Sequence, residues 1–316
     1  MAKGFASTGD MQEKEISFTQ IGRDLYAFTA EGDPNTGVII GDDSVMIVDA
    51  QATPVMAQQV IDRIREVTDK PIKYVTLSHY HAVRVLGASA YKASEIIASQ
   101  KCQAMIYERG QEDWDSEFGR FPRLFDAADS IPGLTWPTVT FKDHMTINMG
   151  KRRVELMHLG RAHTAGDIVA WVPDEGVMFT GDIVEYHSAC YCGDGHFADW
   201  GNTLDAIAAF DPGSIAPGRG DALVGSAKVN EAIKNTRDFI NSTYEPVARI
   251  AARGGTLKEA WDACRAACDQ KFSDYAIYEH CLPFNVARAF DEARGIDTPR
   301  IWTAERDQQM WSDLQG

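Results

Sequence analysis

At 316 residues with 44% hydrophobic content, the chain is long enough for one large domain or two small ones, and its composition is that of an ordinary globular protein. Forty-six acidic residues against 31 basic ones give a formal net charge of −15. That balance argues against non-specific binding to nucleic acid or to an anionic membrane, both of which need a basic surface.

The first residues, MAKGFASTGDMQEKE, lack the apolar centre of a secretory signal, and no apolar run approaches the roughly 20 residues that span a bilayer. The six cysteines (102, 190, 192, 264, 268 and 281) are too sparse for a disulfide scaffold. They fit a reducing compartment, so a cytoplasmic location is expected.

In chain order, residues 24–30 and 37–50 read as strands, the second bent like a hairpin at Gly41-Asp42-Asp43. Thr53 caps a helix with Pro54 at its first position and Val60, Ile64 and Val67 on one face. The β-branched run 72–78 stops at His79. A short helix near 87–93, a strand at 95–99 and a helix near 101–109 follow. Residues 112–137 are aromatic, acidic and punctuated by proline. They match no long periodic element and are expected to form an excursion, either a lid or a homodimer contact. Strands are expected at 139–141, 145–148, 153–158, 168–172 and 177–179, and helices at 227–241, 257–271 and 282–294. The pattern predicts a layered α/β domain over residues 1–225 with a helical C-terminal extension, 226–316, packed on it.

Chemistry concentrates at strand ends. His79 and His81 follow the 72–78 strand at i and i+2, a spacing that can aim both rings into one cleft. His163 sits in the Gly-flanked loop Gly160–Asp167, Asp182 ends the strand Phe179-Thr180-Gly181, and Asp49 closes the strand 45–48. Imidazoles and carboxylates gathered at strand ends are what Zn²⁺ or Fe²⁺ needs.

Asp49, His79-x-His81, His163-Thr-x-Gly-Asp167, Phe179-Thr-Gly-Asp182 and Pro217-Gly218-x-Gly220 stand in the order and rough spacing of five motifs. In this the chain resembles the metallo-β-lactamase superfamily over about residues 20–222. The resemblance implies a four-layer αββα sandwich with metal in the cleft at the edge of its two sheets. It also implies a first metal site of His79, His81 and His163, with Asp182 in the bridging position. Asp49 takes the family position that orients a loop by hydrogen bonds.

The departures from the family concern the second metal. Its second motif reads His-x-His-x-Asp-His, whereas here Val83 stands in place of the Asp and Arg84 in place of the His; Arg219 replaces the His that follows Pro-Gly. Arginine has no accessible lone pair and cannot ligate a metal. Two guanidiniums would return the charge of the missing cation beside Asp182, or fork onto a substrate carboxylate. One divalent metal is therefore expected, Zn²⁺ first and Fe²⁺ second.

The loop from Glu185 to His196 lies over the cleft mouth in this fold. It is expected to shape the substrate pocket through His187, Cys192 and His196, with His187 or Cys192 as candidate replacement ligands. His280, between two predicted helices, reads as a cap or interface residue, with a place at the cleft edge as the alternative.

The expected activity is metal-dependent hydrolysis of an ester, thioester, lactone or amide in a small, anionic substrate. Arg84 and Arg219 would hold the anionic group or developing oxyanion, and Tyr80 would donate. The missing acid at Val83 argues against β-lactam turnover. Two alternatives remain: an iron oxidoreductase of the persulfide-dioxygenase type, using His79, His163 and Asp182, and a non-catalytic ligand-binding relative.

Overall fold

The computed structural model describes residues 5–315. Seven strands form one sheet in chain order: β1 (Ile16–Gly22), β2 (Leu25–Ala30), β3 (Thr36–Ile40), β4 (Val45–Val48), β5 (Ile72–Thr76), β6 (Glu95–Ser99) and β7 (Val139–Phe141). It is antiparallel from β1 to β4 and parallel from β4 to β7. The second sheet runs β13-β12-β11-β10-β9-β8, from β8 (His144–Met149), β9 (Arg152–Met157), β10 (Val169–Val172), β11 (Val177–Gly181), β12 (Ser214–Pro217) and β13 (Leu223–Val224).

Strand alternation sorts side chains into three cores. In β4, Met46 and Val48 face the second sheet, whose Leu156, Val177 and Phe179 share the same cluster. Val45 and Ile47 face the other way, onto α1 (Pro54–Val67) and α3 (Gln100–Arg120). On its outer face the second sheet shares one buried core with α4 (Phe197–Ala208), α5 (Ser226–Ala252), α6 (Leu257–Phe272), α7 (Tyr278–Ala293) and α8 (Ala304–Gln315), of which α5 packs against β12 and β13. Helix, sheet, sheet, helix is the αββα order expected. The helices beyond residue 225 share one core with β10–β12 and α4, including Met178, Ile215, Trp200 and Phe239.

Thr53 caps α1 by accepting from the Met56 amide at 3.2 Å, with Pro54 at the first position. The buried face is Ala57, Val60 and Ile64; Val67, expected there, is 42% exposed because the helix ends at that residue.

The largest departure is α3. The expected irregular excursion from residue 112 is helical as far as Arg120, because a buried face continues through Arg109, Asp113, Glu117 and Arg120 at helical spacing. The face turns from apolar to charged halfway along, which hides its period from a reading based on hydrophobicity. The helix expected near 87–93 is likewise earlier, a single turn α2 (Ala82–Val85) running into a 3-10 segment, Leu86–Tyr91.

Candidate metal centre

Three histidines from two loops meet at the edge of the sandwich. His79 and His81 follow β5, and His81 is the N-cap of α2; His163 comes from the loop between β9 and β10. All three are buried, and their ligand atoms lie within 4.8 Å of one another. His163 Nε2 is 3.2 Å from His79 Nε2 and 2.9 Å from His81 Nδ1.

The outer nitrogen of each ring meets an acceptor. His163 Nδ1 is 2.8 Å from the Tyr191 carbonyl, so it donates. His81 Nε2 is 3.2 Å from Asp194 Oδ2 and donates to that carboxylate. His79 Nδ1 is 2.8 Å from Ser78 Oγ, whose own proton goes to Asp49 Oδ2 at 2.8 Å, so Nδ1 donates here too. A neutral imidazole carries one proton. The three inner nitrogens therefore turn lone pairs on each other, an arrangement that needs a cation. The two separations from His163 Nε2 are close to the roughly 3.3 Å edge of a tetrahedron with zinc–nitrogen bonds of about 2.05 Å.

Burial pushes the carboxyls of Asp49 up to about 6, Asp113 and Asp167 to about 7 and Glu185 to about 8. Burial also lowers the histidines, His79 well below its usual range and His163 to about 3. In His81 burial is outweighed by Asp113 and Asp194, which raise it. A proton on His81 is thus the rival of the metal. Zinc affinity is expected to fall about tenfold per pH unit below the raised pKa of His81, and to be flat well above it. Competition titrations at pH 6 and 8 measure this; equal affinities would contradict it.

Asp182 stands beside this cluster, with Oδ2 3.8 Å from His79 Nε2 and 3.6 Å from His163 Nε2. Both of its oxygens are taken: Arg84 Nη2 pairs with Oδ1 and Arg219 Nη1 with Oδ2 at 2.9 Å. Burial opposes its charge, but the two guanidiniums outweigh it and hold the carboxyl well below the usual range. Arg84 also donates to the carbonyls of Asn35 (2.9 Å) and Gly218 (2.7 Å), and Arg219 approaches Glu185 Oε1 at 3.4 Å. Pro217-Gly218-Arg219-Gly220 needs its glycines: a Cβ at Gly218 would strike the Asp182 carboxylate, and Gly220 has φ +86° against the Tyr186 carbonyl.

A cavity of about 10 Å³ adjoins the histidines, lined by His81, Val83, Glu117, His163, Asp182 and Arg219, and closed by Phe121, Tyr191, Ile277, His280 and Cys281. Beyond Ile277 and His280 lies a second cavity of about 430 Å³, bounded by Ser7, Gly9, Asp10, Tyr275 and Tyr278. Ser7 Oγ meets His280 Nδ1 at 3.0 Å. His280, read from the sequence as a cap or interface residue with the cleft edge as the alternative, forms part of the wall between the two cavities.

Several expected pocket residues lie elsewhere. Arg84 has no exposed surface and does not line the cavity, because Asp182 and two carbonyls use its donors. Tyr80 is buried with its hydroxyl on Asp194. His187 is exposed, at φ +48°, with its ring against Tyr186 and Tyr275. Cys192 is buried in the helical core, its amide donating to Asn285 Oδ1 at 2.6 Å, and His196 is the N-cap of α4. Neither lies on the cavity. Sequence reasoning missed Asp113, Glu117 and Arg109, which reach the site from α3; their only signal is the i, i+4, i+8 spacing of 109, 113 and 117.

The family model of the metallo-beta-lactamase superfamily matches residues 29–219, and the chain belongs to that superfamily. It is 24% identical over 247 residues to a metallo-beta-lactamase type 2 of Bacteroides fragilis, covering 73% of this chain and 90% of that one. It is 21% identical over 252 residues to a linear primary-alkylsulfatase of Pseudomonas sp. (strain ATCC 19151), covering 69% of this chain. The chain spans only 47% of the length of that relative. A solved metallo-beta-lactamase from Pontibacter korlensis shares the fold with a TM-score of 0.57 at 15% identity, over 72% of this chain and 99% of that one. Among the described residues no helix is long and apolar enough to cross a membrane.

Proposed function

We propose that the protein is a hydrolase dependent on one divalent metal, zinc first, acting on an ester, thioester, lactone or amide of a small substrate. The supporting observation is the histidine cluster, in which every outer nitrogen is committed as a donor and every inner lone pair converges. His79 Nε2, His81 Nδ1 and His163 Nε2 would hold the metal. A zinc ion there supplies Lewis acidity and lowers the pKa of water from about 16 to near 7.

The rest of the site is the chain's own. Asp49, through Ser78, and Asp194, pinned by Arg109 at 3.0 Å, fix the ring orientations of His79 and His81. Arg219 is the guanidinium that lines the cavity, so it, rather than Arg84, is placed to meet an anionic substrate group. Ile277 and His280 exclude bulk water and must move for a substrate to arrive from the outer cavity. The dioxygenase alternative would need Asp182 as a ligand, and the two arginines already occupy it.

The test is a panel of 4-nitrophenyl esters, thioesters, lactones and, because of the alkylsulfatase relative, alkyl sulfate esters. Zinc-dependent turnover of at least one class is expected, lost on chelation and in His163→Ala. Turnover that survives both would contradict the proposal.

A further inference from the structure

The residue that the family places at position 83 is an acid, and here it is Val83, which lines the cavity beside the histidines. A second cavity-lining residue is Glu117, 4% exposed, from the charged half of α3. Arg120 holds its Oε1 at 3.1 Å, while Oε2 is buried without a hydrogen-bond partner. An orphan carboxylate oxygen inside a protein costs free energy unless something in the adjoining space meets it. Arg219 Nε, from the same cavity lining, is also unpartnered. The cavity's 10 Å³ is about what one water needs by this measure.

Glu117 is fixed relative to the histidines. One turn earlier on the same face, Asp113 Oδ2 accepts from the Ala82 amide at 2.7 Å, tying α3 to the residue after His81.

We propose that Glu117 Oε2 is the proton acceptor for hydrolysis at this site, in place of the acid absent at position 83. The inference rests on the hydrolase reading above. As the oxygen of a cavity water bonds to the carbonyl carbon of an ester, one water proton passes to Oε2. When the bond from that carbon to the leaving oxygen breaks, Glu117 returns the proton to the leaving alcohol and is regenerated. Water is consumed, and acid and alcohol form with no other reactant.

The test compares wild type, Glu117→Gln and Glu117→Asp, all zinc-loaded, with 4-nitrophenyl acetate as substrate. A second arm measures thiocyanate binding to the cobalt-substituted proteins by visible absorption and needs no turnover. Glu117→Gln is expected to keep its zinc, to lose about 100-fold or more in turnover, and to bind thiocyanate roughly tenfold more tightly, since a facing negative charge is gone. Glu117→Asp, which keeps the carboxylate, should retain more activity and wild-type thiocyanate affinity. Unchanged turnover and thiocyanate affinity in zinc-replete Glu117→Gln would overturn the proposal. So would loss of zinc from both variants, which would make Glu117 part of the scaffold. Wild type inactive toward the whole ester panel would count against the hydrolase reading instead, and unchanged thiocyanate affinity would still refute the placement of Glu117.

Discussion

Arg84→Ala is expected to destabilise the protein by about 3–5 kcal/mol, the usual result of removing one partner from a buried ion pair. Arg84 has no exposed surface, and it pairs with a carboxylate that is itself 2% exposed. Its removal leaves Asp182 with Arg219 alone and strips donors from the carbonyls of Asn35 and Gly218. Arg84→Lys should fall between wild type and alanine, because one ammonium cannot serve Asp182 and both carbonyls at once. Adding Asp182→Asn to Arg84→Ala should recover part of the loss, since the stranded charge is then gone. Urea unfolding of the four proteins measures this; a loss below about 1 kcal/mol in Arg84→Ala would show that the pair is not an obligate partner of Asp182.

The same account predicts how a second metal site can be restored. Val83→Asp, Arg84→His and Arg219→His together return the family's ligands and remove the two guanidiniums from Asp182. The triple variant is expected to take up two zinc equivalents per chain where the parent takes one. Without metal it should be less stable than the parent, because Asp182 then lacks both arginines, and added zinc should restore stability by linkage. Elemental analysis and melting curves with and without zinc read both effects. A variant that still binds one equivalent, however stable, would mean that the arginines do not stand in for a cation.

The parts of this protein legible in its sequence are those whose signal is local. His79, His81 and His163 each adjoin a strand end within a short motif, and the apolar runs of β3 and β4 mark them as strands, though which residue faces which core is decided by the fold. The ordered motifs carry the fold class because their spacing reflects the two sheets. Partnerships set by long-range packing are not legible in this way. His81 is oriented by Asp194, 113 residues away, and Arg84 reaches Asp182 across 98 residues. The charged half of α3 looked irregular because its buried face is Arg109, Asp113, Glu117 and Arg120, polar side chains that pair only after folding. The role of His280 depends on Phe121 stacking on its ring at 4.3 Å and Ser7 meeting it from the far end of the chain. His187, Cys192 and His196 follow Asp182 closely in sequence, but none of them lines the cavity.

The central claim is a one-metal cleft in which Arg84 and Arg219 take the place of a second cation. The most direct measurement is zinc per chain by elemental analysis, after loading with excess zinc and desalting, on wild type and His163→Ala. One equivalent in wild type and well under half in His163→Ala is the predicted result. Two equivalents in wild type, or a full equivalent surviving in His163→Ala, would contradict it.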